Sequence, residues 1–157
     1  MKNLIFVIAF SVLALAAQEQ TIKLQPFVGS GVTRAWATGI RIVTTTGGVA
    51  AVVPLHKKFF LRPMIAGGKV VPLSSASSFP VFQAGALLGY RVTKRFSVLG
   101  GYLETIQFPK SGALYLPTAV VSTATRIHGR WGIYTPIALN RLVGGCSVQI
   151  GYNISIR

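Results

Sequence analysis

The chain has no aspartate and only two glutamates, Glu19 and Glu104, against 16 lysines and arginines, which leaves a formal net charge of +14 over 157 residues. Carboxylate dyads, Ser-His-Asp triads, carboxylate metal cages and glycosidase acid pairs all need acidic groups that this composition does not supply. Cysteine is equally scarce. Cys146 stands alone, so an intrachain disulfide, a thiolate zinc site and a dithiol redox motif are excluded, and the residue reads as a small apolar side chain. Charged residues of either sign amount to 11%, whereas 51% of the chain is hydrophobic. A soluble domain carries roughly 25% charged residues, so an ordinary cytosolic enzyme is a poor fit. No metal site or cofactor is implied.

Long hydrophobic runs are also missing, with one exception at the amino terminus. Lys2 provides a positive start, Leu4 to Leu15 is apolar except for Ser11, and Ala14-Leu15-Ala16 supplies the small residues that a signal peptidase requires. The run is too short to cross a bilayer as a helix and is followed at once by Gln18-Glu19-Gln20. It reads as a cleaved secretory signal over residues 1–17, cut after Ala16 or Ala17, ahead of a single domain spanning 18–157.

Within that domain the hydrophobicity is distributed by alternation. Cys146, Val148, Ile150, Tyr152, Ile154 and Ile156 alternate with Ser147, Gln149, Gly151, Asn153, Ser155 and Arg157, the period of two expected of a strand with one apolar and one polar face. Trp131, Ile133, Ile137 and Leu139 oppose Gly132, Tyr134, Ala138 and Asn140. Phe82, Ala84, Ala86, Leu88 and Tyr90 oppose Gln83, Gly85, Gly89 and Arg91 in the same way. Phe96, Val98, Tyr102, Ile106 and Phe108 share a parity that Glu104 breaks, which places Glu104 at a rim. Eight strands are predicted, near 21–32, 38–54, 58–69, 80–92, 95–108, 113–127, 130–140 and 146–157. The second could be split by Thr44-Thr45-Thr46-Gly47-Gly48.

Two architectures bury such strands: a soluble β-sandwich with its apolar faces turned inward, and a membrane barrel with them turned outward to lipid. A sandwich places charged residues on most outward positions, yet here the non-apolar parity is largely Gly, Ser, Thr, Gln and Asn. The strands also exceed the usual globular length of about five or six residues and suit a tilted bilayer crossing. The fold class is therefore all-β, an eight-stranded antiparallel up-and-down transmembrane β-barrel. Leu55-His56-Lys57, Thr93-Lys94 and His128-Gly129 form short turns, while the alternate connections are mostly longer and include Ser74-Ser75-Ala76-Ser77-Ser78. Short turns belong on the periplasmic side, together with both termini.

Gly48 to Pro63 (GVAAVVPLHKKFFLRP) and Gly89 to Tyr102 (GYRVTKRFSVLGGY) resemble the strand, Lys-bearing turn and strand units of the small bacterial outer-membrane β-barrel family. Trp131 to Tyr152, with IYTPIALN and the final QIGYNISIR, is similar to that family's closing hairpin. The resemblance implies an eight-stranded barrel in the outer membrane and no particular activity. Two departures stand out. The family commonly ends in an aromatic residue, whereas this chain ends in Arg157, and related barrels balance interior arginines with carboxylates that are missing here.

On the predicted register Lys23, Arg41, Arg62, Arg91, Arg126 and Arg157 point into the lumen. An eight-stranded barrel is just wide enough to be filled by its own side chains, so unpaired cations there must be hydrated, sit toward the rims or attract small anions. Lys57, Lys58, Lys94, Arg95 and Arg130 would meet anionic lipid headgroups on the periplasmic side. Arg34, Lys69, Lys110 and Arg141 would face lipopolysaccharide phosphates on the other. Trp36, Trp131, Tyr90, Tyr102 and Tyr152 are expected in interfacial girdles. A lipid-modifying activity would need a histidine beside a serine and a carboxylate. His56 and His128, the only histidines, both fall in predicted periplasmic turns, so no enzymatic role is expected.

The reading is thus an integral outer-membrane protein with a structural, adhesive or narrow-passage role, and its competitor is a secreted basic β-sandwich that binds acidic glycans or other polyanions. Nucleic acid is not an expected partner, because the chain has no basic helix or aromatic stacking motif. Membrane fractionation separates the two. The barrel predicts recovery in the outer-membrane pellet after carbonate washing, with heat-modifiable gel migration; a soluble product would refute it.

Overall fold

The computed structural model describes residues 22–74 and 77–155. The signal segment 1–17, with Ala14, Ala16 and Ala17, lies outside the described residues, as does Arg157. Eight long strands run in chain order: β1 (Lys23–Ala35), β2 (Arg41–His56), β3 (Phe59–Pro72), β4 (Phe79–Arg91), β5 (Phe96–Gln107), β6 (Leu114–Arg126), β7 (Trp131–Leu139) and β8 (Val143–Tyr152). A two-residue strand, β9 (Ile154–Ser155), carries the line of β8 past Asn153. All neighbours are antiparallel, and β1 pairs on one side with β2 and on the other with β8. The sheet is therefore closed. Closure excludes the two-sheet sandwich and removes the free edges that hydrocarbon would not tolerate.

The strands form where the alternation placed them, and β2 is continuous: Thr44 to Gly48 pairs in unbroken register with both β1 and β3. Threonine is β-branched and favours a pleated surface, so the run reads as wall rather than as a break. The irregularity lies further on, where the β2–β3 register shifts between Pro54 and His56, close to a proline that cannot donate to the ladder.

Side chains at Val28, Ile65, Phe82, Leu88, Val121, Ile137, Val148 and Ile150 stand exposed on the outer face. The outward parity is thus apolar, as lipid requires. At the end that carries the termini, Trp131 and Tyr152 meet edge to face with centroids 5.0 Å apart, and Phe59 and Tyr90 meet at 5.1 Å. Trp36 lies near the opposite end, its indole donating to the Asn140 carbonyl. Tyr102 corrects the girdle expectation, because it sits midway along β5, in register with Ala86 and Ala119. Glu104 lies within β5, three residues from its far end, opposite Ala84 and Pro117. The turns on the terminal end occupy 57–58, 92–95 and 127–130, and the far-end connections 36–40, 73–78, 108–113 and 140–142.

The interior is not the polar lumen expected from strict alternation. Phe27, Phe60, Met64, Leu87, Leu99 and Leu103 pack into one buried cluster inside the barrel, and burying each large apolar side chain contributes about 1.5–3 kcal/mol. They fill a space whose walls are often glycine. At Gly89 a Cβ would stand 2.2 Å from Cζ of Phe60, so the ring occupies the room that the missing side chain leaves. Gly89→Ala is expected to push Phe60 off its rotamer and cost about 1–3 kcal/mol. Urea unfolding of the vesicle-inserted barrel would measure the loss, and unchanged stability would contradict this packing.

Candidate functional site

The inward parity of eight strands converges on the lumen, which divides along its axis into three zones. At the terminal mouth, Lys23, Arg91 and Arg126 occupy the last inward positions of β1, β4 and β6. Lys23 lies near enough to Arg126 and Arg91 to be repelled by both, and the Arg91 guanidinium sits 5.6 Å over the Phe60 ring. The only carboxylate among the described residues, Glu104, is on the outside of the wall. Among the described residues the mouth is thus a group of like charges without a carboxylate beside them, open to water.

The second zone holds the one cation that is buried in the interior among the described residues. Arg62 is 1% exposed. Its Nε donates to Oε1 of Gln25 at 3.0 Å and its Nη1 to the Met64 sulfur at 3.5 Å, while Nη2 is buried without a protein partner. The guanidinium lies 4.3 Å from the centre of the Tyr134 ring and 5.4 Å from that of Phe27. A desolvated cation over an aromatic face gains about 2 kcal/mol, which partly offsets the loss of hydration. Gln25 turns its Nε2 to the Tyr134 hydroxyl and to Oδ1 of Asn153, the latter at 3.1 Å. One amide therefore accepts from the cation and ties together β1, β3, β7 and the segment after β8.

Toward the far end the lining is uncharged and mixes polar groups with Ile42, Val70, Val81 and Val143. Thr33, Thr44, Thr46, Gln83, Thr105, Thr118, Asn140 and Ser147 surround a cavity of about 80 Å³, room for a few water molecules. Thr118 donates to Thr105 at 3.1 Å, and Gln83 and Asn140 add bonds of 3.3 Å to Thr105 and Thr118. Between this chamber and the basic mouth lies the apolar cluster.

Of the predicted lumen cations, Lys23, Arg91 and Arg126 come together at the mouth and Arg62 is buried beyond them, whereas Arg41 is placed differently. Arg41 is exposed on the outer face, directly across from Arg34. Pairing with β1 puts the even-numbered residues of β2 inside, and the Thr and Gly run there carries no apolar marks from which the parity could be read. Gln25, Tyr134 and Asn153 share the inward parity in the sequence, but only the closed register reveals that they meet.

No protein-family model matches the chain, and no curated protein matches it. Solved structures do. Ail of Yersinia pestis, crystallised with the heparin analogue sucrose octasulfate, superposes with a TM-score of 0.58 at 12% identity, covering 86% of this chain and 100% of that one. Neisserial surface protein A gives 0.53 at 8% identity over 87% and 100%. The fold is that of the eight-stranded outer-membrane β-barrels. A designed transmembrane β-barrel gives 0.53 at 16% identity, over 85% of this chain and 95% of the other. At these identities the likeness is one of architecture, and the barrel's own residues must supply the chemistry.

That chemistry is a buried charge held by one amide and two rings. Gln25→Leu removes the oxygen that Arg62 Nε donates to and is expected to destabilise the barrel by about 3–5 kcal/mol, the cost of an uncompensated buried ion. Adding Arg62→Met removes the stranded charge and should restore most of that loss. A urea-unfolding cycle of the two single variants and the double variant checks the coupling, and simple additivity would disprove it.

Proposed function

We propose that the protein is a sealed, non-enzymatic structural barrel of the outer membrane whose basic periplasmic mouth attracts small anions. The observation that carries this reading is the apolar closure between the mouth and the far chamber: Phe27, Phe60, Leu87, Leu99 and Leu103 fill the cross-section that a solute would need. An eight-stranded wall encloses little more than its own side chains. Of the three roles considered, narrow passage is therefore the least favoured. An adhesive role draws little support either, because no far-end connection exceeds six residues. The short turns 57–58, 92–95 and 127–130 support an orientation with this end in the periplasm.

In that orientation Lys57, Lys58, Lys94, Arg95 and Arg130 surround the mouth and meet anionic headgroups of the inner leaflet, each contributing about 1 kcal/mol near a charged surface. Arg34, Lys110 and Arg141 are exposed toward the far end, where lipopolysaccharide carries phosphate. Lys23, Arg91 and Arg126, with no carboxylate among the described residues beside them, favour a phosphate-sized anion between them. His56 and His128 are exposed near opposite limits of the periplasmic turns, and neither has a carboxylate to orient it, which supports a non-enzymatic reading.

In planar bilayers the wild-type barrel is expected to give no stepwise conductance in chloride. Equilibrium dialysis with labelled inorganic phosphate should show binding that Arg91→Gln with Arg126→Gln weakens about tenfold. Stable channels would overturn the sealed barrel, and equal phosphate binding by the double variant would overturn the anion site.

A further inference from the structure

Glu104 is the one acidic group of the described wall, and it faces outward. Its side chain takes the lipid-facing parity of β5, in register with Ala84 on one side and Pro117 on the other. Its hydrogen bond comes from the Tyr102 hydroxyl at 3.0 Å, and no cation of the described residues pairs with it. An ionised carboxylate turned toward hydrocarbon is costly. Such residues persist where something outside the chain answers them.

A cation of matching placement is Lys69. It is exposed on the outward parity of β3, across from Thr45 and Pro80, and has no acidic partner. Glu104 and Lys69 flank β4 on either side, and each lies three residues inside the far end of its strand, at Gln107 and Pro72. Between them Phe82 stands across from Gly67, and Ile65 across from Ala84, so that each exposed apolar side chain has a small neighbour. A two-fold contact lays one patch against a copy of itself, so the patch must carry both halves of each interaction. Acid on one flank and base on the other satisfy that condition. Arg34 and Arg41, the other outward pair at this end, face each other with no acid between them and do not.

We infer that the outer face of β3, β4 and β5 is a contact between two copies of this chain in the membrane, Glu104 of each copy pairing with the partner's Lys69. Phe82 and Ile65 supply the apolar contact, and Gly67 and Ala84 leave room beside them for the partner's side chains, as small residues do at membrane interfaces. Tyr102 holds the carboxylate in place, and the pair forms in a medium of low dielectric where a charge contact is strong. Like charges elsewhere on the two copies are water-exposed at the mouths and are screened by salt.

The experiment uses the full-length mature barrel in phosphatidylcholine vesicles, whose zwitterionic surface offers no competing anionic lipid. Association is read by energy transfer between labelled copies over a range of protein-to-lipid ratios, with folding checked by heat-modifiable migration. The wild-type protein should reach a two-copy stoichiometry, and Glu104→Gln and Lys69→Gln should each weaken it about tenfold or more. Glu104→Lys combined with Lys69→Glu should restore association, because each copy then offers the reversed pair. Monomeric wild-type protein at every ratio would overturn the contact, whether lipid or another protein answers Glu104 instead. Folded Glu104→Gln that associates like wild type would overturn it too, as would a folded double swap that fails to recover.

Discussion

Everything else in the molecule depends on the pairing of β1 with β8. Nine consecutive residue pairs, from Phe27 with Gly151 to Ala35 with Val143, join the first strand to the last and turn a meander into a cylinder. In hydrocarbon an unpaired amide or carbonyl costs several kcal/mol, so an open sheet of these strands would have two untenable edges. Closure also fixes parity all the way round. Once β1 is registered against both β2 and β8, inward and outward are decided for every strand, including those whose own sequence is ambiguous.

That dependence explains which parts of the fold were legible in the sequence. Where one parity is apolar and the other small or polar, as along β8 or β4, the outer face could be read directly. The interior could not, because Phe59-Phe60-Leu61, Leu87-Leu88 and Val98-Leu99 are apolar on both parities. Alternation assigns such pairs to lipid, while the structure sends Phe60, Leu87 and Leu99 inward. Arg41 was misread for the converse reason, since its strand has Thr and Gly where a hydrophobic marker was needed. The mouth cations Lys23, Arg91 and Arg126 were legible from parity alone. The contacts of Gln25 with Arg62 and with Tyr134 were not, because they join positions 37 and 109 residues apart along the chain.

The charge imbalance and the architecture fit one another. With its one described acidic side chain, Glu104, on the outer face, the barrel does not neutralise its interior arginine by ion pairing, and it uses an amide, a thioether and two aromatic rings. Aromatic and amide groups need no counter-desolvation as large as that of a buried carboxylate. The remaining cations stay at the two ends, where water and headgroups solvate them. The interior thereby keeps its packing, and the surface keeps its positive sign.

The enclosure of Arg62 has a temporal side. Its companions come from β1, β3 and β7, so the cage exists only when the first and the penultimate long strands have met. Contacts of such wide sequence separation form late, after the loop-closure entropy has been met. Until then the guanidinium remains hydrated, and its withdrawal from water coincides with the final joining of the wall. The same residue that is costly to hold inside thus marks the moment at which the cylinder becomes complete.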